Sequence, residues 1–146
     1  EATVASDETH AIAAADSVAG LPDSARERVL LASVAGHLVS SERLLTDLVN
    51  HADSGTGEDE RAFAEALLES NRLYRRAAER AGQRRIVALL DQLEPVLLEL
   101  ANAPADLGDA RRRVDDGDLL FKVRIVGGRL GTHVPAAKPI PPTANL

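Results

Sequence analysis

The sequence predicts an all-α fold: about four antiparallel helices in a bundle, with a flexible N-terminal linker and a Pro-rich C-terminal tail. Three observations predict it. Helix-forming Ala, Leu, Glu and Arg dominate the chain. Apolar residues recur at spacings of three and four through most of its middle. Aromatic residues make up only 2% of the 146 positions, so the core must be built from Leu, Val, Ile and Ala, whose thin stripes let helices approach closely. At 45% hydrophobic residues the chain can bury one real core but not two. The expected organisation is a linker over 1–20, a helical domain over 21–131 and a tail over 132–146.

Residues 1–20 are small, polar and Ala-rich, with weak periodicity. Leu21-Pro22-Asp23 reads as a turn. Ser24 then reads as an N-cap, with Glu27 completing a capping box. The first helix is expected over Ala25 to Asn50, on a stripe of Leu30, Val34, Leu38, Leu45 and Leu48, widened by Leu31, Ala35 and Val49. Ser41 interrupts that stripe, which is tolerable if its hydroxyl bonds a carbonyl one turn back. Asp53 to Asp59 is a loop by composition. The second helix, about Glu60 to Ala81, presents Phe63, Leu67, Tyr74, Ala78 and Ala81, with Asn71 on the same face. Gly82 supplies a left-handed end.

The third helix, about Gln83 to Ala101, carries Ile86, Leu90, Leu93, Leu97 and Leu100, backed by Leu89 and Val96. Pro95 lies inside it, removes the bond to the Asp91 carbonyl, and is expected to kink it at a cost of about 3 kcal/mol. Ala103-Pro104 ends the helix. The last element is ambiguous. Phe121, Val123 and Ile125 alternate as in a strand, yet Leu107, Val114, Phe121 and Ile125, or else Leu120, Val123, Val126 and Leu130, also fit one helix face. A lone strand has no partner within the chain. A long fourth helix is therefore favoured, weakened at Gly117 and ending near Gly127-Gly128, and a strand over 119–126 requires two copies to pair. From Pro135 the chain reads as an extended tail.

The net charge is −6, which opposes nonspecific nucleic-acid binding. With no Cys, thiol chemistry and Cys-based zinc sites are excluded. With no Met, Glu1 is expected to follow a processing or excision point. No apolar run approaches the roughly 20 residues that span a bilayer.

His10, His37, His51 and His133 are never three or four apart, so no helical metal pair is spelled out. His37 is expected to flank the first helix's stripe. His51 stands where a His complements a helix C-terminus. His37, Ser41 and Asp47 share a helix without the exposed turn that a nucleophilic serine needs. Asp115, Asp116 and Asp118 lack the closing acid of a calcium loop and read as a solvated helical face, or as charge balance for Arg111, Arg112 and Arg113. Gly127, Gly128 and Gly131 read as a hinge. Arg72, Arg76 and Arg80 form one row, joined by Arg75, Arg84 and Arg85. They are expected to be neutralised by Glu69 and Glu79 locally and by Asp91, Glu94 or Glu99 across the hairpin, ahead of an anion site. Asn71 and Tyr74 lie on a Leu/Ala stripe. A structural hydrogen bond that fixes helix register is preferred there over a pocket between the second and third helices. No residue is assigned as catalytic, cofactor-binding or metal-ligating, and no enzyme activity is expected.

The segments R-E-R-V-L-L (Arg26 to Leu31), N-R-L-Y-R (Asn71 to Arg75), L-L-D-Q-L-E (Leu89 to Glu94) and D-D-G-D-L-L-F-K-V-R-I-V (Asp115 to Val126) resemble bacterial membrane-anchored anti-sigma factors of the zinc-finger type. The resemblance covers Arg26 to Val126 and lies within the family's helical C-terminal region. It implies a non-catalytic, extracytoplasmic sensory or interaction domain of a transcription regulator, on the outer side of a bacterial inner membrane. The sigma factor would be contacted only by a missing upstream domain, and the membrane entered by a missing upstream helix. A protein partner or self-association would act on the domain itself. Pro95 and the Gly-rich ending depart from the family's uninterrupted helices. The alternative is a self-associating structural bundle with no sensory role.

Overall fold

The computed structural model describes residues 20, 22–51, 57–102 and 106–133. They form five helices and, among the described residues, no strand: α1 (Asp23–Asn50), α2 (Glu58–Arg80), α3 (Arg84–Asn102), α4 (Gly108–Asp116) and α5 (Leu119–His133). The stretch over 119–126 is thus helical, but of its two expected faces the one with Phe121 and Ile125 is exposed, while Val123 is buried and Leu120, Val126 and Leu130 pack against the core. The linker over 1–19, most of the 53–59 loop, Ala103-Pro104 and the tail from residue 134 lie outside the described residues.

α1 starts two residues earlier than the Ser24 cap implied. The Pro22 carbonyl accepts from the Ala25 and Arg26 N–H groups at 2.9 and 3.0 Å, and no side chain caps the helix. Proline, extended at φ −55° and ψ 151°, leaves its carbonyl aimed into the first turn. Ser24 therefore falls inside the helix, and Glu27 instead accepts from Gln83 Nε2 at 2.6 Å. Ser41 does bond back one turn, to the His37 carbonyl at 2.9 Å.

α2 takes in Glu58 and Asp59, the last residues of the expected loop. Glu58, Asp59 and Glu60 fill its first turn, where carboxylates complement the helix dipole. Its buried face is Ala64, Leu67, Leu68, Asn71 and Ala78. Phe63 and Ala81, expected on that face, are exposed. The α2–α3 turn is a Schellman motif. Gly82 takes φ 70°, its N–H donates to the Glu79 carbonyl at 3.1 Å, and the Gln83 N–H donates to the Ala78 carbonyl at 2.9 Å. α3 buries every apolar residue of its predicted stripe and continues through Pro95 to Asn102.

The expected single fourth helix is two. Gly117 closes α4, and Asp118 turns the chain at φ 48°, a left-handed conformation that Asp tolerates better than most residues. The Lys122 N–H then donates to the Asp118 carbonyl at 3.0 Å and starts α5. α5 does not stop at Gly127-Gly128 either. Gly127 is buried, and a methyl group there would lie 3.4 Å from Leu38 Cβ, so the glycine serves close approach of α5 to α1.

The core runs through all five helices. Leu38, Leu45, Leu90, Leu93, Leu97 and Leu119 are fully buried or nearly so, with Val34, Val96 and Val123 between them. α4 contributes Ala110 and Val114. It is tied to the end of α1 by Arg111, which donates to the Leu48 carbonyl at 3.1 Å and the His51 carbonyl at 3.2 Å.

Candidate functional site

Among the described residues, three polar side chains lie inside the apolar core: His37, Ser41 and Asn71. Asn71 Nδ2 donates to the Leu90 carbonyl at 2.8 Å. That bond fixes which way the amide points, so Asn71 Oδ1 is the acceptor facing His37 Nε2 at 3.0 Å. The imidazole therefore carries its proton on Nε2 and presents a bare Nδ1. This nitrogen is buried and has no hydrogen-bond partner among the described residues. Tyr74 meets the ring edge-on, with centroids 5.4 Å apart. Burial pushes the His37 pKa down, and the Asn71 bond opposes this only in part.

The node joins three helices: His37 on α1, Asn71 and Tyr74 on α2, and Leu90 on α3. Sequence reasoning singled out Asn71 and Tyr74 and preferred a register-fixing bond, which is the arrangement present. It missed His37 as their partner and placed it at a stripe edge. The signal was available: a His and an Asn on otherwise apolar faces of neighbouring helices need each other's hydrogen-bonding capacity.

Ser41 Oγ is engaged by the His37 backbone, not its ring, and Asp47 is exposed, so the three residues make no relay. A cavity of about 230 Å³ opens near the end of α1, rimmed by Asp47, His51 and Glu60 over Leu48, Leu100 and Leu107. His51 Nδ1 lies 3.2 Å from the Asp47 carbonyl, on its own helix. Among the described residues, no group of three or more His, Asp or Glu side chains is placed to hold a metal ion.

The acidic stretch does not fold as a loop: Asp115 and Asp116 close α4 and Asp118 makes the turn. Among the described residues, none of these three acids lies within 4.0 Å of a basic group, so the preceding arginines do not pair with them. Arg112 pairs with Asp109, and Arg111 serves the α1 carbonyls. The arginine row on α2 divides. Arg72 pairs with Glu94 at 2.9 Å, and Arg75 pairs with Asp91 and with Glu79, as expected of neutralised charges. Arg76, Arg80, Arg84 and Arg85 are exposed and have no acidic partner within 4.0 Å among the described residues.

Among the described residues, no helix is long and apolar enough to cross a membrane. Comparison of the chain with protein-family models, with curated proteins and with solved structures finds no match.

Proposed function

We propose that this chain is a non-catalytic interaction domain on the extracytoplasmic side of a bacterial inner membrane, part of a membrane-anchored regulator of the anti-sigma type. In this reading α1, α2, α3 and α5 form an antiparallel four-helix bundle with α4 across one end. Support for that arrangement comes from pairs that bring distant positions together, Arg72 with Glu94, His37 with Asn71, and Arg124 with Glu42.

One observation carries the functional reading. Of the buried polar side chains, His37 and Asn71 bond helix to helix and Ser41 bonds within α1, while apolar side chains stand in water on an outer face. Phe121 is 64% exposed on α5, with Ile125 one turn along, and Val49 of α1 lines the same shallow cleft as Phe121. An exposed aromatic among apolar neighbours is the composition of a protein contact. The resemblance of Arg26 to Val126 supplies the class of regulator. Partner binding at Phe121 would act on α1 and, through its N-terminus, on whatever lies upstream.

Topology tests the reading: reporters fused to both ends of the full gene product should fall on opposite sides of the membrane. Both ends in the cytoplasm would overturn it. The same apolar face also suits a second copy of the chain, which would make the domain a self-associating structural bundle. Sedimentation over a concentration range separates the two. A dimer that persists on dilution and is broken by Phe121→Ser favours the second.

A further inference from the structure

We propose that the arginine-rich end of the molecule docks on an anionic lipid surface, an inference that rests on the membrane-anchored reading above. Two helix starts and one helix end meet there. Gln83, in the α2–α3 turn, donates to Glu27 in the second turn of α1, so the start of α1 lies beside that turn. Around it Arg76, Arg80, Arg84 and Arg85 are exposed and have no acidic partner among the described residues. Of the three nearby acids, two are paired with other arginines, and the third bonds a neutral amide and keeps its charge. Asp23 is 3.8 Å from Arg26, Glu27 holds Gln83, and Glu79 lies 3.4 Å from Arg75.

Stability does not explain this arrangement. Arg84 and Arg85 open α3, whose first turn contains no acid, so they face the positive end of its dipole. Arg76 and Arg80 are one turn apart on α2 and repel each other, as like charges at that spacing do. The dipole of α2 favours Arg80 in its last turn, but Arg84 and Arg85 add positive charge where α3 disfavours it, in a chain whose net charge is −6. The compensating acids lie far away. Glu58, Asp59 and Glu60 start α2, and Asp109, Asp115 and Asp116 belong to α4, which Arg111 ties to the other end of α1.

The separation selects a planar partner. α3 alone has 19 residues, about 28 Å of helix at 1.5 Å per residue, which is several screening lengths of about 8 Å. A flat anionic surface meets the arginine end while the acidic end stands beyond its field. Reading a duplex calls for a helix or ribbon laid in a groove, whereas these arginines ring a tight turn. The start of α1 also lies at this end, so an anchor upstream would hold the arginines next to the bilayer. Each arginine close to an anionic surface strengthens binding roughly five-fold.

The test uses the whole chain and vesicles, with no anchor involved. Co-sedimentation with phosphatidylglycerol/phosphatidylcholine vesicles should exceed that with phosphatidylcholine alone and should fall as salt rises. Arg84→Gln with Arg85→Gln should weaken it about 20-fold. Arg112→Gln with Arg113→Gln, at the other end, should leave it unchanged, and circular dichroism should show both variants as helical as the parent. Equal binding to neutral vesicles, no loss in the Arg84/Arg85 variant, or tighter binding to duplex DNA or polyglutamate than to the anionic vesicles would overturn the proposal. Because vesicle binding is read without the anchor, its failure is distinct from a failure of the topology experiment.

Discussion

His37 titrates inside the core, and that makes the domain acid-sensitive in a defined direction. Burial holds its pKa below the ordinary value of 6.5, so the unfolded chain takes up this proton at a higher pH than the folded one. The contribution to stability is complete above pH 6.5 and is lost as pH falls from there through the folded value. The slope is at most about 1.4 kcal/mol per pH unit. Urea unfolding at stepped pH measures it, and His37→Gln, which keeps a donor for Asn71 but cannot titrate, should flatten the difference. Asn71→Ala removes the acceptor for His37 and the donor for the Leu90 carbonyl together. It should cost about 1–3 kcal/mol in the same assay, because the buried imidazole loses its partner, while the Leu90 carbonyl keeps the bond of its own helix. Asp118 is a different kind of site, with a left-handed backbone on a residue that has a side chain. Asp118→Gly should leave stability unchanged or raise it by up to about 1 kcal/mol, while Asp118→Val should lower it by more than that.

The elements differ in how far they could be read from the chain. α3 was legible throughout, because its Leu, Ile and Val residues recur at helical spacing and nearly all of them are buried. The start of α1 was not, since Ser24 and Glu27 spell a capping box that the Pro22 carbonyl makes unnecessary. The α4–α5 break depends on one backbone angle at Asp118, which no periodicity records. Gly127 was read as a stop because a glycine's role depends on what approaches it, and Leu38 is far away in sequence. Gly127→Leu should therefore push α5 off α1 and cost about 1–3 kcal/mol in chemical denaturation. Gly127→Ala, which gains helix propensity against a tight contact, should change stability by less than about 1 kcal/mol. Pro95 leaves the Asp91 carbonyl without its helical donor, and Pro95→Ala should raise the unfolding midpoint.

Across the whole molecule the helices are unequally secured. α1, α2 and α3 share the buried His37–Asn71–Leu90 connection, and α2 and α3 add two ion pairs. α4 has nine residues and buries only Ala110 and Val114 within its span. Native-state hydrogen exchange should find the slowest amides in the middle of α2 and α3 and the fastest helical ones in α4. The class of fold followed from composition and spacing alone. The polar node was half-visible, because one partner stood out on its stripe and the other did not. The pairing pattern of the arginines was hidden, since it depends on which carboxylates each neighbouring helix turns toward them.

The amide of Asn71 bonds to its left and to its right at once, and this restricts how the domain can move. Sliding α1, α2 or α3 by a single turn would strand a buried imidazole, an amide or a carbonyl, so these three behave as one rack with a single notch. α5 has no such notch: Leu119 and Val123 seat it in the apolar core, Gly127 lies against Leu38, and an exposed Arg124–Glu42 pair and a Lys122–Gln92 bond add to that. Exposed pairs of that kind resist displacement weakly. A push delivered along α1 would move the rack as a body. A partner on the Phe121 face would instead lever α5, and Gly127, bare of any side chain, is the fulcrum on which that lever turns.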